Sequence, residues 1–198
     1  MIRLYCCSLS GCDSHTEERL YRLASPQRQI RADRYRKRED RLRCLIGEAL
    51  LRYTVGPCTV ESGPQGKPYL PEHPEVHFNL SHSGSWVVLA IGDREVGVDV
   101  ERTDRPMDRA ALSKRHFTPE EQEHPDDFFA IWTAKESYLK YLGVGLTEAL
   151  NGFCVLPGQE SDGVRFYHMK PDDSHCLTLC VPIDEKTIET LFLSCREL

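Results

Sequence analysis

The stretch Gly97-Val98-Asp99-Val100-Glu101 places two carboxylates beside an apolar strand. Side chains alternate along a strand, so Asp99 and Glu101 emerge on one face, about 7 Å apart, while the valines face the other way. Two acids this close repel each other unless a positive charge lies between them. The stretch therefore predicts either an exposed strand end or the carboxylate half of a cation site.

A second stretch, Trp132-Thr133-Ala134-Lys135-Glu136-Ser137-Tyr138-Leu139-Lys140, lies within a predicted helix over residues 128–142 that ends at Gly143. Glu136 and Lys140 are one helical turn apart, which alone is typical of a surface ion pair worth a few tenths of a kcal/mol. If this helix meets the first stretch, three carboxylates and an ammonium come together. Such a group suits Mg²⁺, which prefers oxygen ligands and usually keeps substrate phosphate in its shell.

The remaining pattern predicts an α+β chain of two comparable lobes, residues 1–95 and 96–198. A strand at 2–9 precedes a helix capped by Ser25-Pro26 and continued to Tyr53, with a break near Glu39-Asp40. Residues 103–127 are polar and predict short helices. The other predicted strands cover residues 75–80, 85–91, 96–101, 152–156, 164–168, 175–181 and 190–195.

The charge of the chain is uneven. The whole sequence carries −6, yet residues 28–43 contain eight basic and three acidic residues. For Arg36, Lys37 and Arg41 we interpret the charges as a solvated helix face. Because a nucleic-acid-binding protein is more often basic overall, the local basic segment favours a compact anionic ligand or an acidic partner instead.

Cysteine usage predicts a reduced protein. The nine cysteines are odd in number and irregularly spaced, and the N-terminus does not have the pattern of an export signal. No apolar run reaches the roughly 18 residues of a membrane-spanning helix. We therefore expect a cytoplasmic protein without a membrane partner. Cys176 and Cys180 face one way along a predicted strand near two histidines, but no Cys-x-x-Cys unit completes a zinc site.

Two turn-like segments add groups suited to phosphate. Gly66-Lys67-Pro68 presents an ammonium on a rigid turn, although a lysine after glycine is unremarkable by itself. Ser81-His82-Ser83-Gly84, predicted as the connection between two strands, would offer backbone N–H groups, a hydroxyl and an imidazole.

Three motifs in this order resemble the 4′-phosphopantetheinyl transferases, in particular the larger, pseudo-dimeric type that activates peptide synthetases. They are Val76-His77-Phe78-Asn79-Leu80-Ser81-His82-Ser83, Gly97-Val98-Asp99-Val100-Glu101 and Trp132-x-x-Lys135-Glu136-Ser137-x-x-Lys140. With Ser25-Pro26, Gly66-Lys67-Pro68 and Gly143-x-Gly145, the resemblance covers about residues 1–155. It implies two similar α/β lobes related by a pseudo-twofold axis, with the ligand site at their interface and a monomer sufficient for activity.

The resemblance also implies a role for each matching residue. Asp99, Glu101 and Glu136 match Mg²⁺ ligands, Glu136 also matches the proposed general base, and Lys140 matches the lysine that reaches the pyrophosphate of coenzyme A. Lys135 lies inside the motif without an evident role. The basic groups around the coenzyme A phosphates match Arg28, Arg31, Arg43, Lys67 and His82. The nucleotide contacts match Ser81 and Thr103.

The implied reaction is Mg²⁺-dependent transfer of the 4′-phosphopantetheine group from coenzyme A to a serine of an acyl or peptidyl carrier protein, releasing 3′,5′-ADP. The alternative is a non-catalytic module that binds coenzyme A or a nucleotide. That module would need the basic groups but not three carboxylates, which repel phosphate when no metal is present. A nucleic-acid-binding protein using the arginine-rich helix is a third reading, but the helix lacks interleaved aromatic residues.

Overall fold

A computed structural model describes residues 1–145, 150–160 and 162–198. The chain alternates between helices and strands in the following order: β1 Ile2–Ser8, α1 Ser14–Leu23, α2 Pro26–Ala32, α3 Arg38–Val55, β2 Glu61–Ser62, β3 Pro68–Tyr69, β4 His77–Ser83, β5 Trp86–Gly92, β6 Gly97–Arg102, α4 Arg109–His116, α5 Pro119–Gln122, α6 Phe128–Leu142, β7 Val164–Met169, β8 His175–Pro182 and β9 Ile188–Ser194. The prediction of a mixed α+β chain is confirmed.

The first sheet has the strand order β4-β5-β1-β9. Strand β1 pairs antiparallel with β5 and parallel with β9, so the last strand of the chain returns to the first. The two faces of β1 serve different cores. Tyr5 and Cys7 pack with the apolar face of α3, whereas Ile2, Leu4 and Cys6 pack toward the second sheet.

The second sheet has the order β6-β8-β7, with both pairs antiparallel. Val98 and Val100 of β6 face the first sheet and are almost completely buried. On the opposite face, α6 packs against Cys176, Cys180 and Phe166. The two sheets therefore face each other across one apolar layer, with α3 outside the first sheet and α6 outside the second.

Helix α6 has the bounds that its sequence predicts. Its apolar residues Phe128, Phe129, Ile131 and Leu139 are buried, and Gly143 ends it in the left-handed conformation, with φ 73°. The predicted cap of α2 is confirmed as well, because the Ser25 side chain accepts a hydrogen bond from the Arg28 N–H. None of the helices in the described residues is both long enough and apolar enough to cross a membrane.

Three predictions of local structure are wrong. The break in the basic helical region lies between Ala32 and Arg38 rather than at Glu39-Asp40. Ser81, His82 and Ser83 belong to β4, and the connection to β5 is only Gly84-Ser85, because the strand pairing continues to Ser83 opposite Trp86. Residues 152–156 form no strand; a 3₁₀ turn over Leu150–Gly152 leads into irregular chain held by other contacts.

Candidate active site

Strand β6 brings Asp99 and Glu101 to one face at the edge of the second sheet. Asp99 is opposite Thr178 in the register with β8, and Glu101 is opposite Cys176. Asp99 is only 5% exposed, and Glu101 is half-buried. The alternation predicted from the sequence is confirmed, because Val98 and Val100 enter the core between the two sheets.

The edges of the two sheets are joined by side chains of β4, a contact that we call the β4–β6 seam. The Val98 N–H donates to Asn79 Oδ1 at 2.9 Å, the Val100 N–H to Ser81 Oγ at 3.3 Å and the Arg102 N–H to Ser83 Oγ at 3.1 Å. Both serine hydroxyls also donate to a carboxylate: Ser81 to Asp99 Oδ1 at 2.9 Å and Ser83 to Glu101 Oε2 at 2.8 Å. The seam therefore joins the sheets and holds the two acids with the same atoms.

Helix α6 crosses β6 at Gly97, and the approach is close enough to require glycine. A Cβ atom there would lie 2.0 Å from the Ser137 carbonyl oxygen and 2.6 Å from the Tyr141 nitrogen. Because α6 lies directly on the strand, Lys140 reaches across it. Its Nζ donates to Asp99 Oδ1 at 2.6 Å and to Ser81 Oγ and the Val98 carbonyl at 3.2 Å each.

The three acids of the motifs share one electrostatic environment. Burial raises the pKa of Glu136, and the charge of Asp99 raises it further, with Lys140 acting in the opposite direction. Burial and then Asp99 likewise raise the pKa of Glu101, against a hydrogen bond from Ser83 and the charge of Arg105. The motif on β6 and the motif on α6 therefore meet.

A hard cation fits this group of acids. Asp99 Oδ2 is buried and accepts no hydrogen bond from the described residues, so one carboxylate oxygen lacks a positive partner. Across those residues, no three His, Cys, Asp or Glu side chains form a ready-made metal centre. Mg²⁺ does not require one, because it is usually held by one or two carboxylates together with water and substrate phosphate.

Basic groups border the acids on the side of α3. Partial desolvation lowers the pKa of His82, and the nearby charges of Arg43, Lys140 and Arg31 lower it further. Arg43 donates to the Gly84 carbonyl and pairs with Asp40. Arg31 is exposed and makes no ion pair among the described residues. Arg31, Arg43 and Lys140 therefore form a concentration of positive charge around His82, and Lys140 also contacts Asp99.

The other residues predicted to contact coenzyme A are held by contacts within the protein. Arg28 pairs with Glu48 at 3.1 Å, and Glu48 also accepts the Ser25 N–H and hydroxyl, so this arginine belongs to the cap of α2. Lys67 pairs with Glu95 and donates to the Tyr141 carbonyl at the end of α6. Thr103 is fixed through its backbone N–H, which donates to the Ser174 carbonyl at 2.7 Å.

Lys135 has a structural role that the motif did not reveal. Its ammonium is 1% exposed, lies 2.9 Å from Glu121 Oε1 and donates to the Leu150 carbonyl at 2.7 Å. Both partners lie outside β6. Glu121 could have been noticed from its position in a Thr118-x-x-Glu121 capping box, but that motif predicts a helix start rather than a partner for a buried lysine.

Sequence reasoning also missed Ser83 and Asn79 as partners of β6. The period-two repeat of Asn79, Ser81 and Ser83 was the available signal, since it places three polar side chains on one strand face. The partner strand could not be inferred from that repeat alone.

Comparisons with known proteins agree with this geometry. A model of the 4′-phosphopantetheinyl transferase superfamily matches residues 95–182, and a model described as 4′-phosphopantetheinyl transferase, N-terminal, matches residues 14–93. A 4′-phosphopantetheinyl transferase from Bacillus subtilis is 33% identical over 88% of this chain and 92% of its own length.

Two further curated relatives carry related names. The 4′-phosphopantetheinyl transferase Sfp from Bacillus subtilis (strain 168) is 32% identical, over 84% of this chain and 80% of its own. The L-aminoadipate-semialdehyde dehydrogenase-phosphopantetheinyl transferase from Xenopus laevis is 31% identical, over 69% of this chain and 55% of its own. The similarity therefore extends across both sheets and includes both acidic motifs.

Proposed function

We propose the following reaction for this chain, which belongs to the 4′-phosphopantetheinyl transferase superfamily and to its Sfp-like type. It transfers the 4′-phosphopantetheine group from coenzyme A to a serine hydroxyl of an acyl or peptidyl carrier protein and releases 3′,5′-ADP. The phosphoanhydride bond of coenzyme A breaks, and the serine oxygen forms the new bond to phosphorus.

The observation that carries the proposal is the meeting of β6 and α6. Lys140 Nζ lies 2.6 Å from Asp99 Oδ1, while Asp99 raises the pKa of both Glu101 and Glu136. A module that only bound an anion would gain nothing from three acids beside its ligand, because they would repel phosphate. The same acids are useful when a cation and a diphosphate must be held together.

Asp99, Glu101 and Glu136 would hold Mg²⁺, and the unpartnered Asp99 Oδ2 supports this assignment. When bound, the ion would neutralise the charge that develops on the diphosphate as the leaving group departs. Lys140, half-buried and held by Asp99, Ser81 and the Val98 carbonyl, would place its positive charge beside the same diphosphate.

Glu136 would accept the proton of the attacking serine, directly or through a water molecule. A base in this role must be ionised and must hold the proton strongly enough to drive its transfer. Burial raises the pKa of Glu136 above its usual range, while Lys140 favours its ionised form. The first effect strengthens the carboxylate as a base, and the second keeps it available in its ionised form.

Basic side chains would bind the phosphates of coenzyme A. Arg31 supports this best, because it is exposed, lacks an ion pair among the described residues and, like Arg43 and Lys140, lies close enough to His82 for its charge to lower the pKa of the imidazole. Arg28 and Lys67 already pair with Glu48 and Glu95, so we expect each to contribute less. Ser81 and Thr103 would lie along the nucleotide.

The proposal also covers the division into lobes, the oligomeric state and the cellular location. We propose pseudo-equivalent lobes of residues 1–95 and 96–198, with the ligand at their interface and a monomer sufficient, although β9 of the second lobe completes the sheet of the first. The support for this boundary is that the two family models meet near residue 94. All nine cysteines are free thiols, which supports a cytoplasmic location.

Intact mass spectrometry of purified apo carrier proteins tests the function. We expect each accepted carrier protein to gain one phosphopantetheinyl group on serine after incubation with the protein, coenzyme A and Mg²⁺. EDTA should suppress the gain. Tight binding of coenzyme A without any modified carrier protein, in several carrier proteins tested, would favour the non-catalytic module.

A further inference from the structure

The two carboxylates of β6 are held in the same manner. Asp99 Oδ1 accepts from Ser81 at 2.9 Å and from Lys140 at 2.6 Å, while Oδ2 has no partner among the described residues. Glu101 Oε2 accepts from Ser83 at 2.8 Å and lies 3.2 Å from the Arg105 guanidinium, and its Oε1 has no partner in the same residues. In each case one serine and one cation bind a single oxygen, and the second oxygen is left over.

Ser83 is fixed more firmly than a surface hydroxyl usually is. Its Oγ accepts the Arg102 N–H at 3.1 Å, so the β4–β6 seam determines where the oxygen lies. A serine hydroxyl has one proton to donate, and that proton goes to Glu101. Arg105 is 43% exposed and sits four residues after Glu101, so it is the more adaptable of the two contacts.

We propose that Ser83 and Arg105 are positioning residues that fix the Glu101 carboxylate so that one of its oxygens remains free for a divalent cation. The inference rests on the proposed function, because it assumes that Glu101 is a metal ligand. Removing a group that hydrogen-bonds to a metal ligand and orients it commonly weakens metal binding 10–100-fold. Ser83 acts through Glu101 and touches no reacting atom.

Binding of Mn²⁺ tests this without using catalysis as the readout. The loss of the free Mn²⁺ signal in electron paramagnetic resonance measures the affinity of the protein alone, without coenzyme A or carrier protein. We expect Ser83→Ala to weaken Mn²⁺ binding about 10-fold, whereas Ser83→Thr, which keeps the hydroxyl, should bind within about threefold of the wild type. Arg105→Ala should weaken binding as well, by a smaller factor.

Ser85→Ala is the matched control, because Ser85 lies two residues further along and its hydroxyl makes no hydrogen bond among the described residues. Thermal unfolding of each variant separates loss of fold from loss of metal. If Ser83→Ala does not fold, Arg105→Ala still tests the positioning of Glu101, because Arg105 lies outside the β4–β6 seam.

The outcomes distinguish this inference from the proposed function. Wild-type affinity in Ser83→Ala, or equal weakening in Ser83→Ala and Ser83→Thr, would overturn the positioning role even if the wild type modifies carrier proteins. A wild-type protein that neither binds Mn²⁺ nor modifies any carrier protein would reject the proposed function itself.

Discussion

Helix α6 carries two lysine–carboxylate pairs that differ in how completely their partners are satisfied. Lys135 and Glu121 are 1% and 0% exposed and lie 2.9 Å apart. The lysine also donates to the Leu150 and Phe153 carbonyls, and Glu121 accepts the N–H groups of Thr118 and Val155. Lys140 and Asp99 lie 2.6 Å apart, but Asp99 Oδ2 has no partner among the described residues.

This difference indicates that the two lysines of one motif have different roles, one in stability and the other in the reaction. A buried charge pair whose hydrogen bonds are all made has no capacity for a further ligand, and breaking it leaves a charge without a partner. The Lys140 pair keeps an unused acceptor and lies beside two acids whose pKa values are raised. We therefore expect the first pair to control stability and the second to control the reaction.

Asp99→Asn should have the largest effect on activity. The amide keeps the size of the side chain but removes the negative charge that would hold both the cation and Lys140. We expect transfer to a carrier protein to fall by about 10³-fold, with the thermal unfolding temperature nearly unchanged. Quantitative intact mass spectrometry at several Mg²⁺ concentrations measures the loss. Normal turnover at limiting Mg²⁺ would remove Asp99 from the site.

Lys135→Met should instead destabilise the fold. The substitution leaves Glu121 buried with no cation, a change that typically costs about 3–5 kcal/mol of unfolding free energy. Denaturant unfolding measures this loss, and Lys186→Met, at an exposed lysine, is the control. The fraction that remains folded should retain its activity per molecule. If stability is unchanged while turnover collapses, the contrast between the two lysines is wrong.

Gly97→Ala tests the distance between α6 and β6 on which the Lys140 pair depends. The new methyl group would meet the Ser137 carbonyl, a backbone atom that cannot rotate away. We expect α6 to shift and transfer to fall by about 10²-fold, since a misplacement of about 1 Å can have this effect. Gly47→Ala is the matched control, because no atom lies within 4 Å of a Cβ placed there.

The smallest predicted effect is a change of folding stability with pH. The raised pKa values of Glu101 and Glu136 mean that the folded protein binds more protons than the unfolded chain between the usual glutamate range and those higher values. Their stabilising contribution is present at low pH and is lost as the pH rises through the folded-state values. Mg²⁺ should offset this loss because it binds the ionised forms.

Thermal unfolding at pH 5 and pH 7, with Mg²⁺ and with EDTA at equal ionic strength, measures the effect. We expect Mg²⁺ to raise the unfolding temperature more at pH 7 than at pH 5, by about 2–4 °C for each kcal/mol of binding. Asp99→Asn should reduce the response. An equal shift at both pH values would argue against carboxylate ligation.

Much of the site could be predicted because it depends on short-range patterns. The alternation of Asp99 and Glu101 and the bounds of α6 follow from side-chain periodicity and a terminal glycine, and both predictions are confirmed. The resemblance added which motifs meet. Neither source revealed Gly97 as the contact point, because that role depends on the path of α6 over the sheet.

The errors occurred where distant residues determine local structure. Ser81-His82-Ser83 has the composition of a turn, yet its polar side chains are needed on a strand because they pair with β6 across the β4–β6 seam. Residues 152–156 are a strand-like run, but the buried Lys135 and Glu121 bind the Phe153 carbonyl and the Val155 N–H instead. Such partners are remote in sequence, so a local pattern could not identify them.

The parallel pairing of β9 with β1 also limits how the molecule can be divided or opened. The chain passes from the first sheet to the second after β5 and returns after β8, so two connections tether the sheets. A fragment ending at residue 95 would expose one edge of β1 as a template for aggregation. The two connections and the β4–β6 seam therefore oppose wide separation of the two sheets.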